Sequence, residues 1–255
     1  MLTVRVIPVL LLKNGRMVKT KKFGREGIRD VGWPATTARI YNSQDADELI
    51  FLDISATGES RKFLLNTLRE VARNCFIPIT AGGGIKTLKD IRDLLAAGAD
   101  KISINTMAFE NPKFIRAASS RFGNQCITVS VDVKKMPNGK YELFTSGGKT
   151  KTGKDALEFA KLAVKSGAGE ILLTSIENEG MMKGYDLDLI KKFSEVLSVP
   201  LIVNGGAGDR QHFVDAVKIG HASAVAAASI FHFTDSNLTQ VKSFMHNSGI
   251  QVRPI

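Results

Sequence analysis

The chain has 255 residues, of which 44% are hydrophobic and 24% charged, values that fit a folded globular protein and exclude a disordered or fibrous one. Lys and Arg total 35 against 25 Asp and Glu, and the net charge of +10 favours an anionic partner without identifying it. The length fits either one α/β barrel or two smaller domains. Cys75 and Cys126 are far apart and form no CxxC motif, which argues against a disulfide framework or a zinc site.

The amino-terminal apolar stretch, residues 2–12, predicts a buried strand. It contains Arg5 and Pro8, lacks a small-residue cleavage site, and is much shorter than the roughly 20 apolar residues of a membrane span. We therefore expect a cytoplasmic protein with no membrane partner.

Short apolar runs recur along the chain, each followed by a segment of helical periodicity. Their nearly continuous apolar character is typical of parallel strands covered on both faces. A repeat of about 32 residues per strand–helix unit favours a (β/α)₈ barrel over a doubly wound open sheet, the structural alternative. The predicted strands are residues 4–12, 48–54, 77–81, 101–105, 126–133, 170–175, 200–204 and 223–228, and typical predicted helices are 61–73, 88–97, 113–121, 154–165 and 187–196.

Residues 134–150 interrupt this rhythm after the fifth strand. The pair Asn138-Gly139 stands between strand-like flanks, a pattern that predicts a β-hairpin. No linker or low-complexity segment divides the chain. We therefore predict a single barrel domain over residues 1–255, with the hairpin as an insertion.

The two halves of the chain resemble each other. The stretch that begins at Pro78 aligns without gaps on the stretch that begins at Pro200, and the shift of 122 residues also places Glu48 on Glu170. Two similar half-barrels of four strand–helix units are the simplest explanation. An even, eightfold repeat is easier to fit into a closed barrel than into an open sheet.

Two glycine-rich segments each lie between a strand and a helix: residues 82–84, the first glycine loop, and residues 205–208, the second glycine loop. Such loops let backbone N–H groups approach a phosphate closely, although tight turns alone would also explain them. Asn105 and Thr106 could complete the first site, and Ala228 and Ser229 the second. We expect a phosphorylated small molecule with a phosphate at each end, and no metal or cofactor.

Carboxylates at the carboxyl ends of strands are the catalytic candidates in a barrel. Asp53 and Asp132 end the second and fifth strands, and Glu177 and Glu179 follow the sixth. For any one of them, a helix cap or a structural hydrogen bond is the alternative. The first strand offers only leucines at this end, Leu11 among them, and leucine cannot move a proton.

Charged residues also stand near the opposite ends of the strands. Arg5, Glu48, Lys101 and Glu170 could form a ring that closes the barrel there, or a solvated charge network. Lys19, Lys21 and Lys22 suggest a basic loop after the first strand that either steers a phosphate or is simply solvated. The histidines lack metal-ligand spacing, and no basic stripe with interleaved aromatics points to nucleic acid.

These features resemble the cyclase subunit of imidazole glycerol phosphate synthase over essentially the whole chain. The segments FLDISA, GGGI, DKISINT, GAGEILLTSI, GYD, NGGAG and AASIFHF occur in that family's order and spacing. The resemblance implies a (β/α)₈ barrel of two similar halves. It also implies a heterodimer in which a glutaminase, docked at the bottom of the barrel, sends ammonia through the core to cleave and cyclise a bis-phosphorylated ribulosyl aminoimidazole.

The resemblance further implies roles for individual residues. The ammonia gate is formed by Arg5, Glu48, Lys101 and Glu170, with Asp100 beside it at the glutaminase interface. One phosphate site is formed by Gly84, Asn105 and Thr106, and the other by Gly206, Ala228 and Ser229. Of the family's two catalytic aspartates, Asp132 matches the second.

The position of the first catalytic aspartate is occupied by Leu11. The usual LDVKDG is LLLKNG, so that Asn14 also replaces an aspartate, the usual DRDGT is ENEGM at residues 177–181, and Trp33 replaces an acidic residue. Removing a positioned acid or base typically costs about 10² to 10⁴ in rate. The altered top face and the intact bottom face resemble a branch of the family that is encoded in surface-polysaccharide clusters.

Three hypotheses follow. The branch resemblance implies a cyclase-like barrel that passes ammonia from a glutaminase to an N-acetyl sugar amidotransferase, which converts an acetamido into an acetamidino group. The second is a genuine cyclase, forming imidazole glycerol phosphate and aminoimidazole carboxamide ribotide, in which Asp53, Asp132 or Glu179 replaces the missing group. The third is a non-catalytic activator of the glutaminase.

Overall fold

A computed structural model describes residues 3–24, 27–57, 59 and 63–254. Eight parallel strands close into a barrel in chain order, and the last of them pairs back onto the first. This confirms the predicted barrel and excludes the open sheet. The barrel strands are β1 (Arg5–Lys13), β4 (Leu49–Asp53), β5 (Ile79–Gly82), β6 (Lys101–Ile104), β7 (Ile127–Lys135), β10 (Glu170–Ser175), β11 (Leu201–Asn204) and β12 (Ala224–Ala227).

Helices surround the barrel and cover its outer face. Several begin at a residue whose side chain accepts a hydrogen bond from the first turn: Thr87, Asp155, Asp186, Asp209 and Asn237. The helices are α1 (Pro34–Ser43), α2 (Leu65–Asn74), α3 (Leu88–Ala96), α4 (Thr106–Glu110), α5 (Pro112–Phe122), α6 (Ala156–Lys165), α7 (Leu187–Ser194), α8 (Arg210–Lys218), α9 (Ser229–Phe233) and α10 (Leu238–Asn247). The predicted helix start at Arg61 lies outside the described residues.

Alternation along each strand separates two apolar layers. In β1, Val6, Leu10 and Leu12 belong to the large core between the barrel and the helices. Ile7 and Val9 belong to a smaller cluster inside the barrel with Ile50, Leu172, Ile202, Ala224 and Ala226, and Leu11 packs against it. Because side chains alternate along a strand and Ile7 and Val9 face the interior, the other odd-numbered residues of β1 face it too, with Arg5 at the bottom and Leu11 near the top.

Two antiparallel excursions extend the barrel at the carboxyl ends of its strands. β7 continues into β8 (Tyr141–Thr145) and β9 (Thr150–Asp155), and Asn138-Gly139 lies in the first turn, as predicted for the hairpin. The predicted helix start at residue 154 is wrong, because β9 runs to Asp155 and that side chain caps α6 from Ala156.

The second excursion follows β1. β2 (Arg16–Thr20) pairs with β1, and β3 (Ile28–Gly32) pairs with β2. The predicted basic loop is therefore wrong for Lys19, which lies in a strand and is 4% exposed rather than solvated. Within the described ranges, no helix is both long enough and apolar enough to cross a membrane.

Candidate functional site

A cavity of about 520 Å³ opens at the carboxyl ends of the barrel strands. This is the end at which barrel enzymes place their catalytic groups. Its wall includes Leu11, Asp53, Asp132 and Glu179, the residues that the catalytic hypotheses concern. The first glycine loop, Asn105, Thr106 and Ala228 also line it.

Asp132 is a buried carboxyl of this cavity, as are Asp53 and Glu179. Ser130, two residues earlier on the inward face of β7, donates a hydrogen bond from Oγ to Asp132 Oδ1 (3.1 Å). Burial raises the pKa of Asp132 to about 7, and the Ser130 hydrogen bond opposes this rise. A carboxyl that titrates near neutral pH is suited to accept or donate a proton.

Leu11 lies across the barrel from Asp132, because β1 and β7 are the first and fifth of eight strands. Both side chains line the cavity, so a ligand between them would meet one titratable group and one aliphatic group. The two positions that the family resemblance pairs are thus brought to the same cavity.

Asp53 and Glu179 are both committed to structural contacts. Asp53 Oδ1 accepts hydrogen bonds from the backbone of Ser55 and Ala56 and from the Ser55 hydroxyl, which shapes the turn after β4. Glu179 forms a buried ion pair with Lys19 and accepts a hydrogen bond from the Phe23 amide at 3.0 Å. These contacts fix the position of both carboxyls in the cavity wall.

The first glycine loop lies close to the end of β4. A Cβ on Gly83 would overlap the carbonyl oxygen of Asp53, so this position requires glycine for packing as well as for its φ of 117°. The Gly84 amide donates to the Thr57 hydroxyl at 3.2 Å. Thr106 Oγ1 accepts from the Ser146 amide at 3.1 Å, and Asn105 donates to the carbonyl oxygen of Ser130 at 3.1 Å. The predicted first phosphate site is therefore assembled from loops that are tied together.

The second glycine loop packs against the segment that follows β10. A Cβ on Gly206 would overlap the Gly184 carbonyl oxygen, and the Gly184 amide donates to the Gly206 carbonyl at 2.8 Å. Gly206, Ala228 and Ser229 line a small pocket of about 20 Å³ that is open to solvent, and Lys19 and Glu179 also line it. The structure brings the predicted residues of the second phosphate site together around this small space.

At the opposite end of the barrel, the four predicted gate residues form a closed ring, named here the charge ring: Arg5, Glu48, Lys101 and Glu170. Arg5 contacts Glu48 at 2.7 Å and Glu170 at 2.8 Å, and Lys101 contacts both carboxylates at 2.9 Å. The carboxylates are almost completely buried, so these contacts are screened less than surface ion pairs. The solvated-network alternative is therefore wrong for this ring.

Hydroxyl groups support the charge ring from inside the barrel. Thr80 Oγ1 donates a hydrogen bond to Glu48 at 2.5 Å, and Thr128 Oγ1 donates one to Glu170 at 3.4 Å. Asp100 directly precedes Lys101 of the charge ring. Its carboxylate accepts a hydrogen bond from the Ile79 amide at 2.8 Å.

Sequence reasoning missed several residues of the cavity wall. Ser130 could have been found from its i−2 position relative to Asp132, because alternate residues of a strand face the same side. Lys13, Lys86, Lys149 and Thr57 also line the cavity. His232 Nδ1 lies 3.3 Å from the Tyr41 hydroxyl, and burial together with the nearby Lys19 charge lowers the pKa of His232 to about 4.

The chain matches a known protein family over nearly its whole length. Residues 5–237 match the model of a protein family described as histidine biosynthesis protein. The matched range begins at the first residue of β1 and ends after α9, so it contains all eight barrel strands, the charge ring and the cavity.

Proposed function

Because this chain belongs to the histidine biosynthesis protein family, we propose that it is a cyclase-like barrel specialised to conduct ammonia. In this proposal a glutaminase binds at the charge-ring end and releases ammonia there. The ammonia crosses the barrel and leaves through the cavity, where it serves the amidation of an N-acetyl sugar in surface-polysaccharide synthesis in the cytoplasm.

The observation that carries this proposal is the pairing of Leu11 with Asp132 in one cavity, above an intact charge ring. Cyclisation requires proton transfer on both sides of the substrate, and an aliphatic side chain supplies none. Conduction of ammonia requires only a path and docking surfaces, and neither depends on residue 11.

The interior of the barrel supports a path for a small polar molecule. The hydroxyls of Thr80, Ser103, Thr128 and Ser130 stand on three neighbouring strands, β5 to β7. The facing side of the interior is apolar and consists of Ile7, Ile50, Leu172 and Ile202. Neutral ammonia can exchange hydrogen bonds along such a row of hydroxyls. The aliphatic side chains on the facing side have no acidic proton to transfer to it. Entry requires an ion contact of the charge ring to open.

The first test measures transfer of ammonia. The chain is combined with its glutaminase, a sugar amidotransferase and glutamine labelled with ¹⁵N at the amide, and the label is counted in the amidine product and in free ammonium. We expect Lys101→Ala to lower the fraction of label in the product severalfold, and added ammonium chloride to restore the product. Lys89→Ala, on the exposed surface, is the control. Unchanged transfer in Lys101→Ala would support the glutaminase-activator hypothesis instead.

The second test measures cyclisation directly, with ammonium chloride as the nitrogen source and no glutaminase. We expect turnover of the bis-phosphorylated ribulosyl aminoimidazole at least about 10²-fold below that of a genuine cyclase. Leu11→Asp should raise this rate tenfold or more, whereas Leu11→Asn, of similar size but without an acid, should not. Wild-type turnover equal to that of the reference cyclase would contradict the proposal.

The raised pKa of Asp132 favours one alternative, a genuine cyclase of histidine biosynthesis. A carboxyl with a pKa of about 7 could both accept and return a proton in a single site. This alternative expects the gene to restore growth of a histidine auxotroph that lacks the cyclase, and expects Asp132→Asn to abolish that growth.

A further inference from the structure

The net positive charge of the chain is concentrated in two short parts of it. Residues 13–24 and 27–33, which build the β2–β3 excursion, contain six Lys and Arg against one acidic residue. Residues 134–155, which build the hairpin with β8 and β9, contain six Lys against two acidic residues. Together these parts carry nine of the ten net positive charges of the chain, so the rest is close to neutral.

Both parts lie at the cavity end of the barrel, because each continues from the carboxyl end of a barrel strand. They also touch each other, since a Cβ on Gly148 of the hairpin would overlap the ring of Phe23 in the β2–β3 excursion. The two parts therefore form one surface beside the cavity mouth, named here the basic rim.

Most charges of the basic rim lie outside the cavity. Of its basic residues, Lys13, Lys19 and Lys149 line the cavity, and Lys19 is paired with buried Glu179. A small ligand inside the cavity cannot contact the others. A macromolecule that covers the cavity mouth can contact them.

The hairpin presents its charges to solvent. Lys140 and Lys154 are exposed, and among the described residues no carboxylate forms an ion pair with either of them. Glu59 and Glu110 line the cavity and are exposed, but Lys86 is exposed in the same wall. The surface around the cavity mouth is thus positive and complements an acidic partner.

The β2–β3 excursion adds exposed aromatic rings that arginines cover. Trp33 is 62% exposed, and the Arg16 guanidinium lies 4.2 Å from the centre of its ring. Asp30 Oδ2 accepts from Arg16 Nε at 2.8 Å, which fixes this stack. Arg29 lies 5.5 Å from the ring of Phe233, which is 42% exposed. Tryptophan and arginine are enriched among the residues that dominate protein–protein binding.

We propose that the basic rim is the docking surface for the enzyme that consumes the ammonia, and that this enzyme presents an acidic protein surface to it. The Arg16–Trp33 stack supplies the central contact, and the lysines of the hairpin attract the partner. A protein can set carboxylates against the lysines and a neutral group against Asp30. A lipid or nucleic-acid surface, in contrast, presents phosphate throughout. This inference rests on the proposed function, because ammonia must leave through the cavity.

The test measures the rates at which the full chain binds and releases a fluorescently labelled sugar amidotransferase, the acceptor of the ammonia-transfer test. We expect Trp33→Ala to raise the dissociation rate about tenfold or more and to change the association rate little. Lys140→Glu combined with Lys154→Glu should lower the association rate about fivefold or more at 50 mM NaCl. That difference should disappear at 500 mM NaCl, because salt screens exposed charges.

The matched controls lie at the charge-ring end. Phe76→Ala removes an aromatic side chain that is 86% exposed, and Lys218→Glu reverses an exposed charge in the last turn of α8. Neither should change the binding of the amidotransferase. Both rim variants change exposed side chains, so each tests the surface independently of the other.

Unchanged rates in both rim variants would overturn the proposal, as would the absence of binding at 50 µM amidotransferase. Loss of binding to vesicles with 30% phosphatidylglycerol in the lysine variant, with unchanged amidotransferase binding, would assign the rim to a membrane instead. The proposed function fails separately. If the rim variants weaken docking while Lys101→Ala leaves label transfer unchanged, the docking surface stands and the passage through the barrel does not. If Lys101→Ala lowers transfer and no docking is found, the reverse holds.

Discussion

The proton-transfer chemistry open to Asp132 depends on the residue that faces it across the cavity. Its burial and its raised pKa would suit proton transfer, yet the residue across the cavity is Leu11. Ionising a buried carboxyl without a cationic partner costs free energy at neutral pH. Asp132 carries this cost, yet Leu11 cannot act as its partner in an acid–base pair.

The cost predicts a pH dependence of stability. The pKa of Asp132 is about 7 in the folded protein, above the ordinary aspartate value of 3.8, so the folded state holds a proton that the unfolded state releases as pH rises between these values. This contribution to stability is present below about pH 4 and is lost as pH rises through 7. Asp132→Asn should therefore raise the free energy of unfolding relative to wild type more at pH 8 than at pH 5, by at most about 3 kcal/mol.

Urea unfolding at the two pH values checks this prediction. Asp93→Asn is a suitable control because Asp93 lies on the surface in an ion pair with Lys89, and its effect should differ little between pH 5 and pH 8. An Asp132→Asn variant whose gain is the same at both pH values would show that this carboxyl is ionised in the folded protein throughout.

At the scale of elements, the barrel strands could be predicted because each is an apolar run of the right length followed by a helical segment. Predicted and observed bounds of β10 coincide at residues 170–175. The β2–β3 excursion was missed, although Asn14-Gly15 carries the same turn signal as Asn138-Gly139. Asn14 and Gly15 both have positive φ, which is the conformation that such hairpin turns require.

The charge ring could be foreseen because residues at the starts of parallel strands converge at one end of a barrel. The contacts of Glu179 could not, since its partners Lys19 and Thr20 lie in the β2–β3 excursion, which the sequence pattern did not predict. Nothing in the local pattern around either residue indicates which loop it meets. The position of Glu179 after a barrel strand therefore predicted a catalytic role. In the structure its carboxylate instead contacts Lys19 and Phe23 of the β2–β3 excursion.

A different buried ion pair joins the last helix to the barrel. Lys242 in α10 is fully buried and contacts Asp47 at 3.1 Å, and the other oxygen of Asp47 accepts from the Val6 amide at 2.8 Å. Lys242→Ala leaves the Asp47 carboxylate buried without this ammonium partner, so the free energy of unfolding should fall by about 3–5 kcal/mol.

Chemical denaturation measures this change, with Lys89→Ala as the control. Lys89 forms an exposed pair with Asp93 one turn away, and its loss should cost no more than about 0.5 kcal/mol. Equal losses in the two variants would mean that Asp47 finds another partner, or that the helix contributes little to the stability of the barrel.

Across the whole molecule, the two ends of the barrel differ in chemistry. The charge-ring end presents two acids and two bases in mutual contact, and the cavity end presents lysines around an open space. The net charge of +10 thus includes the lysines that the cavity offers to an anion. The anionic ligand and the glutaminase partner that we propose would therefore meet the chain at opposite ends.

An exposed aromatic side chain marks the charge-ring end. Phe76, which precedes β5, is 86% exposed, and its amide is fixed by Asn42 Oδ1 at 2.8 Å. Aromatic residues, phenylalanine among them, are enriched at protein–protein interfaces relative to the rest of the surface. Phe76→Ser should therefore weaken binding of the proposed glutaminase partner by tenfold or more, measured by calorimetry or fluorescence anisotropy. Phe233→Ser removes a partly exposed phenylalanine at the cavity end and should change the affinity by less than twofold. A larger loss of affinity in Phe233→Ser would indicate that the glutaminase binds over the cavity. Ammonia would then enter the cavity without crossing the charge ring.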